Sequence, residues 1–308
     1  MELFPLYSDN FLIFFLFVLL FIILLWFFYK KYYLPNEMTE GFYQKKPFLL
    51  KEGLASYDAF YTEIYEDLYK PRSFSVLDMD ILFTKTKCNP TKNIILDIGC
   101  GTGHNMSVLK EKGYTKVFGI DHALDMVQYT KLIYPIYPIQ YGDVTKDPML
   151  YENNTFSHIL CTRFTIYEIQ KKEIVFNHCF FWLTPGGFLL IHLVDPELYD
   201  MSVPKSKMDS AIPKIETERI TKTIIDFPGF TFLNDYEKTK DTMIQRERFI
   251  DKKTQHVRQN ERMLYMNSKE EILQLAFQIG FIQKEITTPY SDKHQYLVIL
   301  EKPLCGDN

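Results

Sequence analysis

The stretch "NIILDIGCGTGHN", residues 93–105, restricts this chain more than any other. A run of β-formers ends at Asp97 and Ile98, glycines follow at 99, 101 and 103, and an amphipathic helical pattern starts at His104. Glycine at a strand-to-helix turn lets bare backbone come close to a ligand lying at the helix N-terminus. A dinucleotide loop spaces its glycines i, i+2, i+5 so that a pyrophosphate can sit on that terminus. Here the third glycine stands at i+4 and His104 at i+5. Asp97, two residues before the first glycine, would repel a phosphate and attract an ammonium group. The ligand implied is a nucleoside with a cationic tail and no phosphates.

The chain around this loop alternates between the two secondary-structure periods. "NIILDIG", "KVFGID", "IQYGD", "FSHILCTR" and "FLLIHLV" are apolar strands. "HNMSVLKEKG", "ALDMVQYTKLIY" and "KKEIVFNHCFFWL" between them are helices. Continuous apolar strands alternating with helices imply a parallel sheet covered on both faces. Ligands of such sheets bind beyond the carboxyl ends of the strands, so the residues that close each strand matter most. They are Asp97, then Asp121, 18 residues after Gly103, and then Gly142 with Asp143. Asp121 suits a ribose diol, and Asp143 an adenine amino group.

"LDIGCGTG", "GID" ending in Asp121, "GD" with Asp143, and "LTPGG" before the fifth strand follow one another in that order. Together they resemble the class I S-adenosylmethionine-dependent methyltransferase family, over about residues 48–302. The resemblance implies an α/β fold, with a Rossmann-like, seven-stranded, mostly parallel sheet and helices on both faces. Its last two strands, "FIQKEITTPY" and "QYLVILEK", form a reversed hairpin. It implies S-adenosyl-L-methionine as cofactor. Asp97, Gly99 and Gly101 match the loop that lines the methionine portion, with Cys100 and Gly103 in the same loop. Asp121 matches the ribose acid, His122 lies beside the adenine, and Asp143 with Val144 matches the adenine edge. Cys161 and Thr162, in "CTRF", match the end of strand four. "IYEDLY" resembles the cap helix of small-molecule methyltransferases, which makes Tyr65 a cofactor-facing tyrosine.

Tyr57, Tyr61, Tyr65 and Tyr69 recur at i, i+4, one stripe on a helix; Tyr61 and Tyr69 keep the core-packing reading. Asp125 reads as helix surface. No catalytic residue can be assigned: Tyr167, His192 and Arg163 are candidates, with His192, a general base if it faces the pocket, read rather as a core histidine in mid-strand. No metal site is expected, because Cys88, Cys100, Cys161, Cys179 and Cys305 are scattered, without ligand spacing.

Beyond Pro196, "TKTIIDFPGFTFLNDYEK" and "DTMIQRERFIDKKTQHVRQNERMLYM" alternate like antiparallel hairpins around a "DKKT" turn. The insert, about 197–266, resembles the lid that small-molecule methyltransferases carry after strand five. Ser268 with Glu271 is a capping box opening a helix that runs to Gly280. "LPNEMTEGFYQKKP", residues 34–47, reads as a linker ahead of a methyltransferase domain at 48–308.

Residues 1–33 predict a membrane anchor. "FLIFFLFVLLFIILLWFFY", 11–29, carries no charge and no proline. As a helix it would be roughly 29 Å long, against a hydrocarbon core of about 30 Å. Trp26, Tyr29, Tyr32 and Tyr33 would form an interfacial belt. The n-region "MELFPLYSDN" has no Lys or Arg and no small-residue cleavage site follows, so a cleaved signal peptide is disfavoured. Lys30 and Lys31 flank the far end, which predicts a single-pass protein with its N-terminus outside and its large domain in the cytoplasm.

The expected activity is methyl transfer to a nitrogen or oxygen of a small-molecule acceptor. A lipid or quinone acceptor at the membrane surface is the alternative. The rival of another class is a tethered S-adenosylmethionine-binding scaffold without catalysis. No "DPPY"-type element follows strand four, which disfavours DNA adenine and glutamine-amide acceptors. A net charge of −4, with no basic excess, disfavours a nucleic-acid partner.

Overall fold

A computed structural model describes residues 9–32, 46–69, 72–199, 222–288 and 294–304. The chain divides into two compact units, Met1–Glu40 and Gly41–Asn308. The first holds helix α1, Asp9–Tyr32, whose side chains are described for 13–26. All of these are apolar, from Ile13 to Trp26, and exposed. Among the described residues, no helix is long and apolar enough to cross a membrane. The structure therefore gives the span expected at 11–29 helicity but no further support; the ends of that span have no described side chains. Of the expected linker only residues 46 and 47 are described.

The second unit is built on a seven-stranded sheet. Its strands are β2 (Ile95–Ile98), β3 (Val117–Asp121), β4 (Ile139–Tyr141), β5 (Phe156–Cys161), β6 (Leu183–Val194), β11 (Ile282–Thr287) and β12 (Gln295–Glu301). They lie in the order β11-β12-β6-β5-β2-β3-β4. Strands β6 to β4 pair in parallel, while β12 runs antiparallel to β6 and to β11. The sheet is thus mixed, with the reversed hairpin at one edge. Strand β2 is buried at every position, which is why the sequence reads there as an unbroken apolar run. From β2 the chain builds outward through β3 and β4, then returns to β2's other side with β5. This switch point opens a crevice beyond the carboxyl ends of β2 and β5.

The helices that matter for the site are α2 (Ala59–Tyr69), α4 (His104–Glu111), α5 (Leu124–Ile133), α6 (Thr165–Glu168) and α7 (Lys172–Trp182). Helix α3, Arg72–Thr86, lies against α4. Helix α8, Lys269–Ile279, begins with the expected capping box, in which the Ser268 side chain accepts from Glu271 N–H and the Glu271 carboxylate accepts from Ser268 N–H. It ends at Gly280 in the left-handed region, φ +112°.

A second sheet covers this core with β7 (Lys222–Asp226), β8 (Phe230–Lys238), β9 (Thr242–Asp251) and β10 (Val257–Tyr265), paired antiparallel as the alternation predicts. Residues 200–221 of the expected insert lie outside those described. One strand comes from elsewhere: β1, Phe48–Glu52, pairs in parallel with β10. The lid is therefore closed by chain that precedes the seven-stranded sheet, which a five-residue strand with neither face fully buried could not announce. Inward-facing Gln245, Glu247, Arg258 and Arg262 of this sheet are buried.

Candidate active site

The strand ends and the lid enclose one cavity of about 630 Å³, within the range of small-ligand sites. The glycine loop forms its floor. Gly99 (φ +68°) and Gly101 (φ +51°) both occupy the left-handed region. A Cβ on Gly99 would stand 2.6 Å from Thr165 Cγ2, whereas one on Gly101 would meet only Gly99 O at 4.0 Å. Gly99 is thus required by packing, and Gly101 leaves open space above the loop. Gly103 does not line the cavity. Its Cβ would lie 2.7 Å from Thr130 Cγ2 and 2.8 Å from Tyr134 Cε2, so the third glycine serves the close approach of α4 to α5 rather than the ligand.

Asp97 lies beneath the loop, 1% exposed, and is not itself among the residues that line the cavity; Asn105, bonded to it, is. Its Oδ1 accepts from Asn105 Nδ2 at 2.9 Å, and the same amide nitrogen donates to Thr162 Oγ1 at 3.0 Å. Asp97 Oδ2 and Asn105 Oδ1 are buried with no hydrogen-bond partner. Of these two orphaned acceptors Asn105 belongs to the cavity lining and Asp97 backs it, a pair that suits a ligand bringing donors, and an ammonium group brings three. Burial pushes the Asp97 carboxyl up to about 7, the Asn105 bond opposing and the charge of Asp121 adding to the rise. A cation bound there would restore its ionisation. The residues present therefore fit the amino-acid end of S-adenosylmethionine.

Asp121 ends β3 and holds the loop from the other side. Its Oδ2 accepts from Gly101 N–H and its Oδ1 from Ala123 N–H, both at 2.8 Å. Burial raises its pKa and the two backbone donors counter that rise. His122 and Gly142 line the cavity beside it. Asp143 Oδ1 accepts from Thr145 N–H and Oγ1; partial burial raises its pKa, but the Thr145 bonds prevail and leave it below the usual carboxylate range. Val144 lines the cavity next to it. Cys100 lines it as well, as a thiol whose pKa burial raises well above normal.

Strand β5 ends in strain. Arg163 (φ +53°) and Phe164 (φ +66°) are consecutive non-glycine residues in the left-handed region, a conformation that persists where surrounding structure imposes it and that concentrates at functional sites. The turn brings Thr162 and Arg163 to the cavity wall. Cys161, expected beside them, is instead buried in the core and does not line the cavity; it is the last strand residue and points into the sheet packing.

Two of the three candidate catalytic residues are corrected in the same way. Tyr167 is fully buried, donates to Val194 O at 3.1 Å and accepts from Val194 N–H at 3.0 Å, which ties α6 to β6. His192 is fully buried, with Nε2 3.1 Å from Gln295 Oε1 and its ring 4.2 Å from that of Phe164. Burial lowers its pKa to about 3, and the Arg163 charge adds to the effect. Neither reaches the cavity; Arg163 does.

Tyr65 lines the cavity as expected, and Tyr57 and Tyr61 join it. Tyr61 also belongs to the core reading, being fully buried with its hydroxyl 2.9 Å from Glu247 Oε1. Tyr69 stays in the core and also donates to Glu247. Sequence reading missed Asn105, which a helix-surface pattern hides, and Glu168, which closes a helix of four residues. Glu168 Oε1 accepts from Tyr57 O–H at 2.6 Å. Glu168 is an exposed residue of the cavity wall; desolvation by the neighbouring protein raises its pKa, with the Arg262 charge pulling the other way.

Compared with known proteins, residues 95–187 match the family described as a methyltransferase domain. A phosphoethanolamine N-methyltransferase 1 from Triticum aestivum is 33% identical over 99 residues, which is 32% of this chain and 20% of that protein. The chain thus spans about a fifth of the length of the curated relatives it matches. Among solved structures, the CcbJ methyltransferase from Streptomyces caelestis superposes with a TM-score of 0.61 at 12% identity, over 80% of this chain and 98% of that one. SAM-bound CalS10, an amino pentose methyltransferase from Micromonospora echinaspora, gives 0.53 at 16% identity, over 73% and 89%. The fold is therefore that of S-adenosylmethionine-dependent methyltransferases. With the family match and the acceptors beneath the loop, S-adenosylmethionine is the cofactor.

Proposed function

We propose that this protein is an S-adenosylmethionine-dependent methyltransferase acting on a nitrogen or oxygen of a small-molecule acceptor. We propose further that α1 anchors it in a membrane with the second unit on the cytoplasmic side. The observation that carries the activity is the pair of unsatisfied buried acceptors, Asp97 Oδ2 and Asn105 Oδ1, under a loop left open at Gly101 and flanked by Asp121.

S-adenosylmethionine brings an already activated methyl group, so the protein's task is alignment and exclusion of water. Asp97 and Asn105 would hold the ammonium end, Asp121 the ribose hydroxyls, and Asp143 with Val144 the adenine edge. Thr162 and Arg163, presented by the strained turn, and the α2 tyrosines would form the walls within which an acceptor meets the methyl group. The phosphoethanolamine N-methyltransferase relatives, by their name, favour a small acceptor with a nitrogen nucleophile. A lipid or quinone acceptor draws support only from the apolar character of α1.

The test is calorimetry on the detergent-solubilised full chain titrated with S-adenosylmethionine. One-to-one binding that NAD does not displace is expected, and Asp121→Ala should weaken it about 100-fold, since charge-assisted bonds to both ribose hydroxyls and the Gly101 tether are lost together. Absence of binding by the folded wild-type chain would sink the enzyme and scaffold readings alike. Binding without methyl transfer to any amine, phenol, carboxylate or lipid pool would leave the scaffold.

A further inference from the structure

One wall of the cavity is aromatic and carries a carboxylate. Tyr57, which precedes α2, and Tyr61 and Tyr65 on it run ring to ring, with centroids 5.5 and 5.9 Å apart. Tyr199, after β6, adds a fourth ring, and Glu168 closes α6 among them. Behind the rings, Arg262 of β10 lies 4.9 Å from the centroids of Tyr57 and Tyr61. Its charge is matched by Glu247 of β9, whose Oε2 is 2.9 Å from Arg262 Nη2. Both ions are withdrawn from solvent, Arg262 at 4% and Glu247 at 0% side-chain exposure. The lid's own cation is thus neutralised where it sits, and the charge this wall offers to the cavity is that of Glu168. Arg163 reaches the same cavity from the β5 turn, and Asp121, Asp143, Lys146 and Lys171 line it elsewhere, so Glu168 is the carboxylate of the aromatic wall rather than the cavity's sole anion.

Ring faces and a carboxylate together attract a cation: the rings through their quadrupoles, the carboxylate through charge and hydrogen bonds. A carboxylate acceptor would be repelled by the second, and a neutral phenol could hydrogen-bond to it but would draw no charge attraction from either. Building on the methyltransferase reading, we propose that Glu168, bonded to Tyr57 on the cavity wall that also carries Tyr61 and Tyr65, is the acceptor-binding carboxylate, and that the acceptor is a small primary or secondary amine. The amine enters as an ammonium and passes one proton to Glu168. The freed lone pair forms the new N–C bond as the methyl–sulfur bond breaks with its electrons staying on sulfur. The proton on Glu168 then leaves to solvent, so each turnover releases one proton. Burial, together with the charges of Asp121 and Glu247, raises the Glu168 pKa against the pull of Arg262 and the Tyr57 bond, which suits a group that must accept a proton and return it.

The experiment has a binding arm and a transfer arm, both on the full chain. In the first, the protein saturated with S-adenosylhomocysteine is titrated with tetramethylammonium and with the neutral tert-butanol. Tetramethylammonium should bind and tert-butanol should not. Glu168→Gln should weaken the cation about 10- to 100-fold, the range for losing a charged partner, with S-adenosylhomocysteine affinity unchanged. In the second arm, labelled methyl from S-adenosylmethionine is followed into matched primary amines and alcohols of the same carbon skeleton. Label should enter amines only and be lost in Glu168→Gln. Equal binding of tetramethylammonium and tert-butanol overturns the proposal, as does transfer to the alcohols or to none of the amines. All of these outcomes presuppose cofactor binding, whose failure would instead sink the methyltransferase reading.

Discussion

At the scale of single residues, the proposed placing of the cofactor's ammonium end at Asp97 makes affinity depend on the charge state of that residue. Burial holds its carboxyl near 7 in the unliganded protein, whereas in the unfolded chain it would lose its proton near 3.9. Between those values the unfolded chain has given up a proton that the folded one keeps, so the unliganded protein loses stability as pH rises through this window. An ammonium ligand requires the ionised form, so binding below about pH 7 must expel one proton. Affinity for S-adenosylmethionine should therefore climb about tenfold per pH unit up to about 7. It should level off and then fall above about 8, as the ligand's own amino group loses its charge. Asp97→Asn should flatten the rise and weaken binding at pH 7.5. Calorimetry from pH 5.5 to 9, in buffers of different ionisation heat, counts the protons directly, and a pH-independent affinity below 7 would refute the assignment. The place of Asp97 was legible from the sequence, because an apolar run leading into a glycine turn puts that acid near the carboxyl end of a buried strand. Asn105, which shares Asp97's environment, was not legible. One polar residue in the first turn of a helix looks like any other until the strand end is folded against it.

At the scale of elements, α2 and the lid sheet are joined by a buried polar layer. Tyr61 and Tyr69 both donate to Glu247, which pairs with Arg262, whose guanidinium also donates to Gln245 Oε1 at 3.2 Å. Arg258 repeats the pattern nearer the start of α2, pairing with Asp58 at 2.8 Å over the ring of Phe60. The tyrosine spacing and the hairpin alternation showed both elements before folding. They could not show that the two faces meet, since a strand with inward Glu, Gln and Arg reads as one with its polar side out. Nor could they show β1, whose place beside β10 is set by a partner two hundred residues away. Such a layer is costly to break from one side. Glu247→Gln leaves the Arg262 charge buried without its counter-ion, which should cost roughly 3–5 kcal/mol. In a unit of this size that is a fall in melting temperature of about 10 °C. Thermal unfolding followed by circular dichroism measures it, and S-adenosylhomocysteine should still raise the melting point of the variant, because Glu247 is no part of the cofactor floor. A shift of under a degree would show that the layer is solvated and that α2 is held by its apolar side chains alone.

At the scale of the whole molecule, the outstanding feature is an apolar helix that the second unit's chemistry does not need. Side chains 13–26 of α1 are apolar and exposed without interruption, and so long an unbroken apolar surface belongs in contact with something other than water. The sequence extends that run to 11–29 and sets Lys30 and Lys31 directly after it, the arrangement that leaves the following domain on the cytoplasmic side. If α1 is an anchor, the full chain should float with liposomes and resist alkaline carbonate extraction, while residues 41–308 alone should do neither. The shortened protein should bind S-adenosylmethionine with the affinity of the full chain, because the loop of Asp97, the acid of Asp121 and the α2 tyrosines all belong to the unit that begins at Gly41. In sealed vesicles made by co-translational insertion, added protease should digest the second unit from the cytoplasmic side and leave a fragment of about the length of the span. Recovery of the full chain in the carbonate supernatant would dispose of the anchor and leave the methyltransferase reading intact. Loss of cofactor binding on removal of residues 1–40 would mean instead that the first unit takes part in the site.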